Sequence, residues 1–206
     1  MVAKFVTVEG LDGAGKTTHL AWLRAALEAR GISVCATREP GGTSFGEVLR
    51  EMMLHPPHAL HPESETLLMF AARREHLDKV IRPALAAGTW VLCDRFTDAS
   101  FAYQGGGSGV EWSKVEALER WVQEDLDPDL TLYFDLEPQI ARSRLQAKSP
   151  DRFEKEHEAF HAAVRAGYLR RAREHPHRVR VISASGSISE VQAELSKHIT
   201  TLCIGY

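Results

Sequence analysis

Phe5-Val6-Thr7-Val8-Glu9-Gly10-Leu11-Asp12-Gly13-Ala14-Gly15-Lys16-Thr17-Thr18 decides how the rest of this chain is read. The run from Lys4 to Glu9 is apolar and β-branched, as a strand should be. Gly10 to Thr17 then matches G-x-x-x-x-G-K-[ST] in full, and Leu20, Leu23 and Leu27 follow at helical spacing with Gly31 as a stop. Each fixed position has a physical task. Glycines let the backbone turn its N–H groups inward around phosphate oxygens. Lys16 brings a point charge to the β and γ phosphates, and the Thr17 hydroxyl can take a place on Mg²⁺. The helix that starts near Gly15 adds its positive end. A chance match in a chain this long is roughly a one-in-a-hundred event at average composition, and the strand before it and helix after it make chance rarer. The expected phosphate cradle is therefore Gly10, Leu11, Asp12, Gly13, Ala14, Gly15, Lys16, Thr17 and Thr18.

Outward from that loop, apolar runs alternate with helical patterns, which marks an α/β fold with a largely parallel sheet. Further strands are expected over Ile32–Arg38, Thr89–Asp94, Leu130–Leu136 and Arg178–Ser183. A long helical stretch runs from about Glu63 to Ala87, and a last helix opens with the capping box Ser187-Ile188-Ser189-Glu190. Breakers cluster at Pro40-Gly41-Gly42, His55-Pro56-Pro57 and Gln104 to Gly109. The expectation is a three-layer P-loop fold, a five-stranded parallel sheet flanked by helices, in a single domain over residues 1–206.

Composition narrows the function. A formal net charge of −3 gives no basic excess, so general affinity for nucleic acid is not expected. The apolar runs fall short of a membrane helix, and no signal-peptide pattern precedes the first strand. Cys35, Cys93 and Cys203 are odd in number and widely spaced, which suits buried reduced thiols and a cytoplasmic setting. His157-Glu158-Ala159-Phe160-His161 matches the zinc-protease spacing H-E-x-x-H, but it sits among charged residues with no third ligand in sight, so chance explains it. His55, His58 and His61 fall in a Pro-rich loop and are read as loop.

A guanine-reading Asn-Lys-x-Asp motif is impossible here, because the chain contains no asparagine. Four stretches in order instead carry a likeness: Val8 to Thr18; Thr37-Arg38-Glu39-Pro40-Gly41-Gly42-Thr43; Leu68-Met69-Phe70-Ala71-Ala72-Arg73-Arg74-Glu75-His76; and Asp94-Arg95-Phe96-Thr97-Asp98-Ala99-Ser100-Phe101-Ala102-Tyr103-Gln104-Gly105-Gly106-Gly107. From Phe5 to about Leu169 the chain resembles the thymidylate kinases, P-loop nucleoside monophosphate kinases. That resemblance implies transfer of the ATP γ-phosphoryl group to thymidine monophosphate, with Mg²⁺, in a homodimer.

Phosphoryl transfer asks mainly for positioning and for cations between two anions. Arg95, just past a central strand, is the best candidate by place, and the resemblance implies that it bridges donor and acceptor phosphates. Asp94 resembles a carboxylate acting on Mg²⁺ together with Thr17; a helix cap is its plainer reading. Arg38 is implied to hold the acceptor 5′-phosphate, and Asp12 to face the acceptor 3′-hydroxyl and the metal region. Phe70 and Arg74, one helical turn apart, would stack on thymine and bond its O4 edge. Ser100 and Gln104 match positions near base and sugar, and Tyr103 one that crowds the 2′ carbon. A lid over residues about 140–155 is implied to supply the catalytic arginine. Arg152 and Arg144 are the favoured candidates, with Arg142 and Lys148 also open, since this lid is sparser in bases than the pattern. Two rivals remain: a P-loop kinase for another nucleoside or monophosphate, and a module that binds ATP without transferring phosphate.

Overall fold

In the computed structural model, described over residues 2–145, 152–154 and 156–204, five parallel strands lie in the order β2-β3-β1-β4-β5. They are β1 (Phe5–Gly10), β2 (Val34–Arg38), β3 (Trp90–Asp94), β4 (Leu130–Asp135) and β5 (Val179–Ser183). Each starts and stops within two residues of the expected run. Alternation along the strands builds three layers. Val6 and Val8 of β1, with Trp90 and Leu92 of β3, feed an apolar cluster on one sheet face. Phe5, Val91 and Cys93 feed a second cluster with Phe70, Phe96 and Phe101. Glu9, two and four residues beyond Thr7 and Phe5, falls on that second face and is fully buried.

The helices are α1 (Lys16–Glu28), α2 (Ser44–Leu54), α3 (Pro62–His76), α4 (Arg82–Ala86), α5 (Thr97–Ser100), α6 (Trp112–Gln123), α7 (Pro138–Arg144), α8 (Glu158–Glu174) and α9 (Ile188–Ile204). The capping box at α9 forms as expected: Glu190 N donates to Ser187 Oγ at 3.3 Å, and Ser187 N to the Glu190 carboxylate at 2.7 Å. Two expectations are corrected. The single helix over 63–87 is α3 and α4 joined by a π-helical turn, Leu77–Ile81. The stretch Gln104 to Gly107, expected to break the chain, completes a π-helical segment, Phe101–Gly107. Its glycines serve approach to α8: a Cβ on Gly106 would lie 2.7 Å from the Ala163 carbonyl oxygen.

The strand order fixes where the site must be. From β1 the chain crosses to β2, returns to β3 beside β1, then passes to β4 on the far side. Connections after β1 and β3 therefore diverge, and the crevice between them opens at the carboxyl ends of those strands. Gly10–Gly15 and Asp94–Arg95 occupy that crevice.

Candidate active site

The loop after β1 is held by its own backbone and by α7. Ala14 N donates to Leu11 O at 3.2 Å, and Gly15 takes φ 88° at the head of α1. Gly13 has no alternative, since a Cβ there would lie 2.1 Å from the Ala141 carbonyl oxygen. Lys16 folds back inside the turn, donating to Gly10 O at 3.1 Å, Leu11 O at 2.9 Å and Asp12 Oδ1 at 3.2 Å. Burial lowers the pKa of its ammonium, with Arg95 adding to the effect.

Arg95 enters the same turn from β3. Its Nη1 donates to Gly10 O at 2.8 Å and to the Tyr168 hydroxyl at 3.2 Å, and its Nη2 to Asp12 Oδ1 at 2.7 Å. The guanidinium lies 4.9 Å from the centre of the Tyr103 ring. Burial would raise the pKa of Asp12, but Arg95 and then Lys16 outweigh it and hold the carboxyl well below the usual range. The acid inside the loop thus has two cations to itself.

Two cavities meet at Asp12 and Glu154. One, of about 600 Å³, runs along the loop from Gly13 to Thr18 and on to Arg144, Gly186 and Ile188. The other, of about 220 Å³, is walled by Pro40, Arg50, Met69, Arg95, Tyr103 and Gln104.

Of the residues expected around an acceptor, Asp12, Arg95, Tyr103 and Gln104 line the second cavity. Ser100 is buried behind it, accepting from Arg73 Nη2 at 3.0 Å. Phe70 and Arg74, expected beside the base, do not line this cavity. Phe70 is 1% exposed, inside the core with Phe5 and Phe96. Arg74 points to the far side of α3, donating to Asp78 at 2.9 Å and Glu124 at 3.1 Å. The i, i+4 pair that faces the site is one residue earlier. Met69 lines the cavity, and Arg73 lies behind, donating to Glu39 Oε2 at 2.7 Å and Phe96 O at 3.1 Å. Arg73 Nη1 is buried without a partner.

Arg38 ends β2 but turns outward, held by both oxygens of Glu47 at 2.9 and 2.8 Å. A cation that joins Arg95 on the cavity wall is Arg50 of α2, which also donates to Pro40 O at 2.9 Å. Arg50 was not legible as a site residue; its one cue is a helix capped by Thr43 directly after Pro40-Gly41-Gly42. Of the lid residues, Arg144 lines the loop cavity and donates to Ala184 O at 2.9 Å. Arg152, expected over the γ-phosphate, is instead ion-paired with Glu65 on the acceptor side. Glu65 is fully buried, and Gln104 Nε2 satisfies only its other oxygen, at 2.8 Å. A buried carboxylate in that position needs a cation, which draws Arg152 inward. Lys148 lies outside the described residues.

Thr17 is exposed at the head of α1, and Asp94 ends β3 with Oδ1 buried and without a partner. Two hard oxygen donors beside a phosphate loop fit Mg²⁺, which takes few protein ligands. Among the described residues no three His, Cys, Asp or Glu side chains cluster as a metal cage. His157 stands exposed at the N-cap position of α8 without a side-chain capping bond, and His61 caps α3 by accepting from Glu63 N at 3.2 Å.

Adjoining cavities, with Lys16 and Arg95 gathered on Asp12 where they meet, suit group transfer between two bound molecules. With a phosphate-binding loop on the central strand, they place the chain among P-loop phosphotransferases. A family model described as thymidylate kinase matches residues 8–195. The thymidylate kinase of Nitrosomonas europaea is 57% identical over 195 residues, covering 94% of this chain and 91% of that protein. That of Burkholderia cenocepacia is 56% identical over 204 residues, covering 97% and 98%. The crystal structure of thymidylate kinase from Ehrlichia chaffeensis is similar with a TM-score of 0.80 at 35% identity, over 97% of this chain and 99% of that one. The chain belongs to the thymidylate kinase family.

Proposed function

We propose that this chain moves the γ-phosphoryl group of ATP onto thymidine monophosphate, giving ADP and thymidine diphosphate. The observation that carries the reading is Arg95, which grips the phosphate loop at Gly10 and Asp12 while forming a wall of the second cavity. A cation there meets both phosphates as they come into line. A phosphate oxygen of the acceptor attacks the γ-phosphorus, and the bond to the β-bridging oxygen breaks. The acceptor phosphate is already ionised, so the site needs no general base.

In this proposal the loop N–H groups from Gly10 to Thr18 cradle the ATP tail, and Lys16 and Arg95 offset charge on the transferring group. Thr17 and Asp94 would hold Mg²⁺, which would help to offset the negative charge of the ATP phosphates. Arg50, joined by Arg38 once released from Glu47, serves the acceptor 5′-phosphate, and Tyr103 crowds the 2′ carbon. Arg73 reads the thymine O4 edge in place of Arg74, with Met69 against the ring in place of Phe70. Arg144 lies on the ATP side of the lid and Arg152 on the acceptor side. A cytoplasmic setting belongs to the same proposal, since Cys93 is a buried free thiol; fractionation of the source cells reads it directly.

Coupled ADP release with Mg-ATP tests the reaction. Thymidine monophosphate should stimulate release at least about 100-fold more effectively, in kcat/KM, than deoxycytidine monophosphate. Equal stimulation by both points to another monophosphate kinase, and release without any acceptor dependence removes the kinase reading.

A homodimer is also proposed. Trp121 of α6 is 76% exposed, and a groove of about 570 Å³ between α3 and α6 runs from Leu67 to Trp121. Phe45, Val48 and Met52 give α2 an exposed apolar face as well. A second copy would cover these apolar surfaces. Sedimentation should give about twice the 22.9 kDa chain mass; a single 22.9 kDa species at micromolar concentration rules the dimer out.

A further inference from the structure

Glu9 is the residue that phosphoryl transfer leaves unexplained. It is fully buried beneath the phosphate loop, on the apolar face of β1 shared with Phe5. Burial, with Asp98 next in effect, pushes its carboxyl up to about 8, against the opposing pull of Arg95. A carboxylate kept in so unfavourable a place needs a use.

We propose that Glu9 and Tyr168 are positioning residues for Arg95, a two-link chain that fixes the guanidinium between the two cavities. The inference rests on the phosphotransfer reading above. One oxygen of Glu9 accepts from Phe96 N, the peptide directly after Arg95, at 2.7 Å. The other accepts from the Tyr168 hydroxyl at 2.8 Å, and that hydroxyl accepts from Arg95 Nη1 at 3.2 Å. A single carboxylate thus holds Arg95 by its backbone and by its side chain. The hold has work to oppose, since Arg95 sits at φ 68°, which a bulky residue adopts only when its surroundings force it.

Proton accounting fixes the direction of the chain. A guanidinium can only donate, so the Tyr168 oxygen accepts from it, and the tyrosine hydrogen must go to Glu9. The Glu9 oxygen that faces Tyr168 ends the sequence Arg95 to Tyr168 to Glu9 as its acceptor. The Tyr168 ring is fixed in turn by stacking on Tyr133, with centroids 4.7 Å apart. The plainer alternative is that Glu9 only caps the turn after β3 through Phe96 N.

Tyr168→Phe separates the two, because it removes the hydroxyl and leaves the bond from Phe96 N to Glu9 intact. We expect kcat to fall about tenfold, with KM for ATP and for thymidine monophosphate within about twofold. In an Arg95→Ala background the same change should alter single-turnover rates by less than about twofold. Equal losses in both backgrounds, or an unchanged kcat in the native one, overturn the proposal. The same four proteins, compared by denaturant midpoint, test the contact without any activity. Coupled shifts support the link between Tyr168 and Arg95, and additive shifts overturn it. That second readout stands even if the acceptor proves to be another molecule.

Discussion

Arg95→Ala should lower kcat by about a thousandfold or more while the protein remains folded. An arginine supplied to a transferring phosphoryl group is worth about 10³ to 10⁵ in rate, and here the side chain walls the second cavity while gripping the phosphate loop at Gly10. Its loss leaves Asp12 with Lys16 alone, at 3.2 Å. Asp12 is 38% exposed, so water can take up part of the lost interaction, and the fold should survive. Arg95→Lys is the informative control. A lysine keeps the charge but cannot reach Gly10 O, Tyr168 and Asp12 with a planar fork, so only part of the rate should return. Steady-state kinetics with circular dichroism decide it. A folded Arg95→Ala protein with native kcat would show that charge between the phosphates is neutralised elsewhere, and the site would have to be redrawn.

The sheet was legible because its strands are buried on both faces, and near-continuous apolar runs have few other readings. The phosphate loop was legible because Gly10 and Gly15 meet local constraints, a neighbouring backbone and a left-handed φ, that the sequence pattern itself encodes. What failed depended on contacts distant in sequence. Met69/Arg73 and Phe70/Arg74 are both i, i+4 pairs, so helical spacing cannot choose between them; packing of α3 against Glu39, Phe96 and Ser100 does. An aromatic invites a stacking role, yet Phe70 is what closes the core under β1 and β3. Gly106 and Gly107 look like a loop until α8 is laid against them. The side that Arg152 takes is likewise set by Glu65, 87 residues earlier in number, whose buried charge no local pattern reveals.

That one-residue shift gives the sharpest test of the acceptor site. Arg73 is 1% exposed, and Arg74 lies at 43% with carboxylates of Asp78 and Glu124 around it. Removing Arg73 would leave Glu39 buried with only His76 at 3.0 Å, a loss of about 3–5 kcal/mol for a broken buried pair. Alanine there risks unfolding, so Arg73→Lys is the useful change. It keeps a cation near Glu39 but cannot also span Phe96 O and Ser100 and present a free N–H to a base. Its kcat/KM for thymidine monophosphate should fall about 100-fold, with KM for ATP within about twofold. Arg74→Ala should move the denaturant midpoint little and leave both substrates nearly unaffected. The pair of variants reads the register directly. Should Arg74→Ala impair acceptor use while Arg73→Lys does not, thymine lies on the other face of α3, and Met69 and Arg73 only support the wall.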